Sequence, residues 1–197
     1  DGITPLGSTD DISKGLYKPF CGEDAKLEFT LQQPLKVWTA YSDLVDGVDI
    51  KKYWEPARFC WSLSLARTYE CTKNEEALRA FWGYFHQFIS VNPPYFGPNW
   101  VSAQEVALRA INWLIILPSL RSAAGTLTED MDELIASLWQ HFLRLIPTIS
   151  YAKSQNNNHL LSEALGLTLL GSFFAPQSAL ADKWKERAQS LFERTLL

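Results

Sequence analysis

Three consecutive asparagines followed by a histidine are the residues of this chain best suited to chemistry. They lie in the segment Ser154-Gln-Asn-Asn-Asn-His-Leu-Leu-Ser-Glu163, where an apolar helical pattern begins at Leu160. Asparagine is a poor helix former and a good N-cap, so the run predicts a helix entrance with the histidine in its first turn. Such an entrance offers unpaired backbone N–H groups and the positive end of the helix dipole, which suit an anion such as a carboxylate. The alternative is a well-capped helix without a ligand.

The helix that follows this entrance carries a polar face. His159, Glu163 and Gly166 are spaced at i, i+4 and i+7, so they share one side of the helix. We expect Glu163 to orient the imidazole and Gly166 to let a ligand or another backbone approach closely. The alternative is a histidine that is hydrogen-bonded between helices and has no ligand, which is the commoner role of a histidine in such a pattern.

A second polar stripe lies on an earlier predicted helix, where Glu105, Arg109 and Asn112 recur at the same spacing among apolar residues. An arginine with a carboxylate one turn away is most often a structural pair that joins helices. The alternative is that Arg109 or Asn112 recognises an acidic sugar, since guanidinium groups pair with carboxylates in a two-pronged geometry.

A proline-rich aromatic loop precedes this helix at residues 92–100. Its aromatic residues Tyr95, Phe96 and Trp100 could form a platform for sugar rings, whose C–H faces pack on aromatic rings. Aromatic residues at a helix entrance are more often part of the core, and this alternative stays open.

Composition and motifs argue against several other function classes. The net charge of −4 gives no overall attraction to nucleic acid, and no apolar run is long enough to span a membrane. The sequence contains no glycine-rich phosphate loop and no cysteine pair at zinc spacing, and its three histidines are not at a short metal-binding spacing. We therefore predict no cofactor, no metal ion, no nucleic-acid partner and no membrane partner.

The hydrophobic periodicity predicts an all-α fold with an irregular N-terminal arm. Prolines and glycines interrupt residues 1–48, where two short strands are expected at 27–31 and 36–41. The remaining residues predict six helices, at about 50–70, 74–91, 102–120, 128–146, 158–173 and 178–197. Short connections between them favour antiparallel hairpins, stacked as a solenoid or toroid, with a simple bundle as the alternative. The last helix ends without a terminating residue, so we expect a fragment of a longer protein.

Three stretches, in this order and spacing, resemble the N-terminal helical domain of the heparinase II/III family of polysaccharide lyases, an alginate-lyase-like domain. They are Tyr53-Trp-Glu-Pro-Ala-Arg58 with Trp61, Asn99-Trp-Val-Ser-Ala-Gln-Glu-Val-Ala-Leu-Arg-Ala-Ile-Asn-Trp113, and Ser154-Gln-Asn-Asn-Asn-His-Leu-Leu-Ser-Glu-Ala-Leu-Gly166-Leu. The resemblance implies an incomplete α/α toroid over residues 49–197, with the arm at 1–48 packed on it. It also implies a C-terminal β-sandwich region in the same protein beyond this chain.

Members of this family cleave uronic-acid-containing polysaccharides by β-elimination. The resemblance therefore implies that Asn158 neutralises the substrate carboxylate and that His159 is its neighbour or the base, with Asn157 as the second choice for the amide. It places Trp100, Arg109 and Asn112 along the cleft. The catalytic tyrosine of the family follows the sixth helix, so this chain alone is expected to be inactive.

Two functions follow as hypotheses from these features. The first is the toroid part of a bacterial lyase, periplasmic or secreted, that acts on an acidic polysaccharide such as a glycosaminoglycan or alginate. The second is a glycan-binding or structural helical domain without catalysis. Lyase activity of the longer protein would separate them, because β-elimination leaves an unsaturated product that absorbs ultraviolet light.

Overall fold

Helices account for most of the chain, as the periodicity predicts. A computed structural model describes residues 8–19, 25–31, 34–45, 47–123, 127–155 and 157–196. The helices in chain order are α1 (Thr9–Ser13), α2 (Lys51–Ala57), α3 (Ser62–Thr72), α4 (Glu75–Val91), α5 (Ala103–Ser122), α6 (Thr128–Leu145), α7 (Ile149–Gln155), α8 (Asn158–Phe174) and α9 (Ala179–Thr195). Short 3-10 turns cover Trp38–Ala40 and Pro98–Trp100. No helix among the described residues has both the length and the hydrophobicity needed to cross a bilayer.

Five of the six predicted helices begin within a residue or so of their expected positions, and side-chain caps explain this for α4, α5, α8 and α9. The side chain of Asn74 accepts the backbone N–H of Glu76 at 2.9 Å and starts α4. Ser178 caps α9 in the same way. Ser102 accepts from the N–H of Glu105 at the start of α5. Such caps satisfy N–H groups that the helix itself leaves unpaired.

The prediction of one continuous helix at about 50–70 is wrong, because this segment forms two helices, α2 and α3. Phe59 adopts a left-handed backbone conformation with φ 58°, which a helix cannot contain. The carbonyl groups freed at the break are satisfied locally: Nε1 of Trp61 donates to the carbonyl of Pro56 at 2.9 Å, and Oγ of Ser62 donates to that of Phe59 at 2.7 Å. Burial of the Phe59 ring offsets the strain of this turn.

The two predicted strands of the arm are also wrong. Residues 27–31 have no regular structure, and 36–41 form an isolated bridge from Val37 to Phe96 followed by a 3-10 turn. The strands that do form are two-residue antiparallel pairs. β1 (Leu16–Tyr17) pairs with β2 (Ala25–Lys26), and β3 (Leu44–Val45) pairs with β4 (Val48–Asp49). Helices α1 and α7 were not predicted, since five and seven residues carry too little periodicity.

The chain divides into two compact units. The first comprises the described residues within 1–101 and 112–131. Its core is an aromatic cluster in which the Phe59 ring lies 5.6 Å from Phe29, 4.8 Å from Trp61 and 5.3 Å from Trp113, measured between ring centroids. Phe29 comes from the arm, so residues of the arm share the core of this unit.

The second unit comprises the described residues within 102–111 and 132–197. Helices α8 and α9 form a hairpin in which Gly171 lies against the backbone of Lys185; a Cβ atom added at Gly171 would be 2.9 Å from the Cα of Lys185. Gly166 approaches α5 equally closely, since a Cβ there would lie 2.8 Å from the Cβ of Ala107. The close approach expected at Gly166 is therefore to another helix.

Candidate functional site

Asn157 and Asn158 form the entrance of α8, as predicted. Asn157 is the N-cap residue, and its Oδ1 accepts the backbone N–H of His159 at 2.9 Å. Asn158 is the first helical residue, and its side chain is exposed. Neither its amide nor the imidazole of His159 makes a hydrogen bond with any residue that the structure describes. Asn156 lies outside the described residues.

His159 is half-buried in the first turn of α8. It is not sealed in apolar packing, which would have favoured the purely structural alternative. Asn158 and His159 together therefore present an amide, an imidazole and a helix entrance at one place. This combination of donors suits a planar anion such as a carboxylate.

Glu163 lies one turn further along α8 and is only 4% exposed. Its Oε2 has no hydrogen-bond partner among the described residues. Burial raises the pKa of its carboxyl group to about 7, and the charge of Arg144 opposes that rise. The described contacts contain no hydrogen bond from Glu163 to the His159 ring, so the expected orientation of the imidazole by Glu163 is not seen.

Arg109 is fully buried and is bonded to a histidine that the sequence did not single out as its partner. Its Nε donates to Nε2 of His141 at 2.8 Å, while Nδ1 of His141 lies 2.7 Å from the carbonyl oxygen of Ser137. A guanidinium can only donate, so Nε2 of the imidazole is the acceptor and Nδ1 carries the proton. His141 is therefore neutral.

The electrostatics of this pair follow from its burial. Burial lowers the pKa of His141 well below its usual value, and the charge of Arg109 lowers it further. Burial also lowers the pKa of Arg109 to about 9, against the opposing effect of Glu105, which is itself buried. The structure thus favours the structural reading of Glu105 and Arg109, and it argues against direct contact between Arg109 and a sugar.

Asn112 of the same stripe lies in the first unit and is 7% exposed. Its Nδ2 donates to the carbonyl of Arg58 at 2.8 Å and to Sγ of Cys60 at 3.3 Å. These two acceptors lie in the break between α2 and α3. Asn112 therefore holds that break together, and its amide donors are already engaged.

The aromatic loop is mostly core, which corrects the expectation for Trp100. Trp100 is 2% exposed, its Nε1 donates to the carbonyl of Asn92 at 3.3 Å, and its ring centroid lies 5.5 Å from that of Tyr95. Tyr95 is half-buried, whereas Phe96 is exposed. A buried indole cannot stack on a sugar, so Phe96 and the half-buried Tyr95 are the accessible aromatic rings of the loop.

One cleft of the first unit is lined by none of the predicted site residues. It has a volume of about 540 Å³ and lies between the arm and α2, where Tyr17, Lys52 and Tyr53 line it. Burial raises the pKa of Tyr17 to about 12. A protonated phenol and a lysine in a wide cleft do not by themselves specify a reaction.

His141 and Arg144 are two large buried polar residues whose roles the sequence reasoning missed. Their positions carried a usable signal: His141 follows Leu134 and Leu138 on the apolar stripe of α6 and is succeeded on it by Leu145. A histidine on such a stripe is expected to be buried and in need of a partner. The identity of that partner, 32 residues earlier on α5, is a matter of tertiary packing.

Comparison with known proteins adds one match. A family model described as "Heparinase II/III N-terminus" matches residues 32–196, which is most of the chain and includes the whole of α8. No curated protein and no solved structure matches the chain.

Proposed function

The chain belongs to the heparinase II/III N-terminal family, and from this membership we propose that it is the helical N-terminal part of a polysaccharide lyase. The proposed reaction is β-elimination in a uronic-acid-containing glycan. The proposed architecture is an incomplete α/α toroid, which a C-terminal β-sandwich region of the same protein would complement. The single observation that carries the proposal is the entrance of α8, where Asn158 and His159 are accessible and have no described hydrogen-bond partner for their side chains.

The reaction needs a group that handles the charge of the substrate. A base removes the proton from C5 of the uronate, the electron pair forms the C4–C5 double bond, and the C4–O bond breaks with its electrons on the leaving oxygen, which then takes up a proton. Negative charge accumulates on the carboxylate as the C5 proton leaves, so donors aimed at that carboxylate stabilise the transition state. Removing one such donor typically slows an enzyme by about a hundredfold or more.

In this proposal Asn158 is the donor to the uronate carboxylate. Its side-chain amide is exposed and stands at the positive end of the α8 dipole, which also favours an anion. Asn157 is less suited to this role because the cap, in which its Oδ1 accepts the N–H of His159, holds its side chain against the helix. The sequence left these two residues as alternatives, and the cap supports Asn158.

His159 is the neighbouring group that the proposal places beside C5. A neutral imidazole can accept the C5 proton or hold the group that does so. The family resemblance also implies a tyrosine beyond this chain. The proposal therefore assigns stabilisation of the carboxylate charge to α8. It assigns only part of the proton transfer to that helix.

The proposal implies a longer protein that carries this chain as its N-terminal part, and that protein is used for the test. Heparan sulfate and alginate are supplied separately, and the absorbance of the unsaturated product is followed. We expect activity on at least one of them and a loss of about a hundredfold or more in kcat for Asn158→Ala. Gln155→Ala is the matched control, since Gln155 is an exposed amide at the end of α7.

Two results would count against the proposal. Absence of product with every uronate glycan, under conditions in which a known lyase works, would favour a non-catalytic glycan-binding or structural domain. Full turnover in folded Asn158→Ala and His159→Ala proteins would show that the site is elsewhere.

A further inference from the structure

A basic groove of about 380 Å³ lies in the second unit between α7 and α9. Its lining includes the cations Lys153, Arg187 and Arg194, the half-buried ring of Trp184, the apolar Leu191 and one acid, Glu186. Three cations against one carboxylate give it a positive charge, whereas the whole chain has a net charge of −4. The groove is therefore a positively charged region on a protein whose net charge is negative.

The three cations have no acidic partner among the residues that the structure describes. None of Lys153, Arg187 and Arg194 forms an ion pair with any residue in the described part of the chain. By contrast, Lys185 on the same helix lies 3.7 Å from the carboxylate of Asp182. The cations of the groove are thus available to an anion from outside the chain.

Two of the cations are held in place by their own helix. Nε and Nη2 of Arg194 donate to the carbonyl oxygen and Oγ of Ser190 at 2.9 and 2.7 Å. The guanidinium of Arg187 lies 5.5 Å from the ring centroid of Trp184. Because these contacts restrict the side chains, binding an anion costs less conformational entropy than it would with freely rotating arginines.

The groove lies toward the same end of α8 as the proposed site. The close contact of Gly171 with Lys185 shows which residues of α9 lie opposite which residues of α8. The two helices form an antiparallel hairpin, so residues after Lys185 lie opposite residues before Gly171. Arg194 is nine residues beyond Lys185, about 14 Å along the helix. It therefore stands level with about Ser162, one turn from Asn158. Lys153 lies in the last turn of α7, four residues before Asn157.

We infer that the basic groove binds acidic sugar units that flank the bond to be cleaved. This inference rests on the proposed function, since the same glycan would present one uronate at Asn158 and further anionic groups to Lys153, Arg187 and Arg194. Carboxylate and sulfate groups pair with such cations, and the face of a sugar ring packs on an indole such as that of Trp184. A long acidic glycan fits these features better than a single anion, because the cations are spread along the groove.

The test measures binding of a heparan sulfate hexasaccharide to the 197-residue chain by calorimetry, with neutral cellohexaose for comparison. We expect the acidic hexasaccharide to bind and the double variant Arg187→Ala/Arg194→Ala to weaken that binding by about tenfold. Binding should also weaken as salt rises, since exposed charges are screened. Lys183→Ala is the matched control, because Lys183 is an exposed cation of α9 outside the groove.

Further variants keep the inference falsifiable. Arg187→Lys/Arg194→Lys should recover part of the affinity, and thermal unfolding should show that all variants fold. Loss of binding in Asn158→Ala together with unchanged binding in the double alanine variant would overturn the groove but leave the proposed function standing. The reverse pattern would support the groove, and the kcat of Asn158→Ala would still decide the carboxylate donor, because a donor that acts in the transition state need not change the affinity for the substrate.

Three other results would overturn the groove. They are no binding of the acidic hexasaccharide to the wild-type chain, equal binding of cellohexaose, and an equal loss of affinity in Lys183→Ala. A groove that is instead covered by a second copy of the chain would appear as a dimer in sedimentation and as a failure to bind sugar.

Discussion

Nε of Arg109 donates a hydrogen bond to Nε2 of His141 at 2.8 Å, and both side chains are almost completely removed from solvent. A charged donor is thus satisfied by a neutral imidazole. The second nitrogen of that imidazole bonds the carbonyl of Ser137, which holds the ring in one tautomer. The pair joins α5 to α6 within the second unit and forms part of its interior.

Removing the imidazole should therefore destabilise the protein. His141→Ala leaves a buried guanidinium N–H without its acceptor, so we expect the free energy of unfolding to fall by about 3 kcal/mol. The double variant Arg109→Met/His141→Leu removes the charge along with its partner and should cost less than the sum of the single variants. Urea unfolding at pH 7.5 measures both. Additive losses would show that the two residues do not interact.

Glu163 should make stability depend on pH. Its carboxyl has a pKa of about 7 in the folded protein against an ordinary value of 4.5, so the folded state holds a proton that the unfolded state lacks between these values. Its contribution to stability is present below pH 4.5 and is lost as pH rises through 7. Glu163→Gln should remove this loss and be more stable than wild type at pH 8 by about 2 kcal/mol.

The measurement for Glu163 is urea unfolding at several values between pH 4.5 and 8, with Glu28→Gln as a control at an exposed carboxylate. His141 has the opposite trend. Its pKa is lowered on folding, so stability falls as pH drops below 6.5. Wild type and Glu163→Gln share that trend, so the difference between their free energies of unfolding at each pH reports the effect of Glu163 alone. A constant difference across the range would contradict the prediction.

Gly166 should not tolerate a side chain. The Cβ of an alanine there would lie 2.8 Å from the Cβ of Ala107 and 3.3 Å from its Cα, so α5 or α8 would have to move. We expect Gly166→Ala to lower the unfolding free energy by about 1–3 kcal/mol. Gly83→Ala is the control, since nothing lies within 4 Å of a Cβ added in the middle of α4. That control should be neutral or stabilising by up to about 1 kcal/mol. Equal effects of the two substitutions would contradict the close contact.

Asn157 and Asn158 should separate into a structural and a functional residue. Asn157→Ala removes the cap of α8 and should cost about 1 kcal/mol, whereas Asn157→Ser restores a capping oxygen and most of that stability. Asn158→Ala should change stability by less than about 0.5 kcal/mol because the side chain is exposed. Thermal unfolding compares the three proteins. A large loss of stability in Asn158→Ala would show that its amide has a structural partner.

The features that could be predicted from the sequence are those set by neighbouring residues. Asn74, Asn157 and Ser178 cap helices through bonds to N–H groups two or three residues away, so the starts of α4, α8 and α9 can be read locally. The break at Phe59 could not be predicted, because an aromatic residue has no intrinsic preference for a positive φ. Five aromatic rings pack around its own, and four of them come from distant segments, so the contacts that offset the strain are not visible locally.

In the candidate site, too, some features follow from neighbouring residues, whereas others depend on how the helices pack. The position of Asn158 and His159 at a helix entrance follows from their neighbours, and this part of the prediction is confirmed. The spacing of Glu105, Arg109 and Asn112 shows that they share a side of one helix, but it does not tell whether that side meets solvent or another helix. The bond from Arg109 to His141 decides the question for Arg109 and lies beyond any local pattern. Trp100 illustrates the same limit for an aromatic ring.

The two glycines of α8 also determine the direction in which its first turn faces. Gly166 lies against α5 and Gly171 against α9, and five residues along a helix correspond to a turn of about 140° around its axis. Backbone contacts in two such different directions prevent α8 from rolling in place. The azimuth of Asn158 and His159 is therefore fixed by residues that never touch a ligand, and substitutions two to four turns away should redirect the site without altering any group in it.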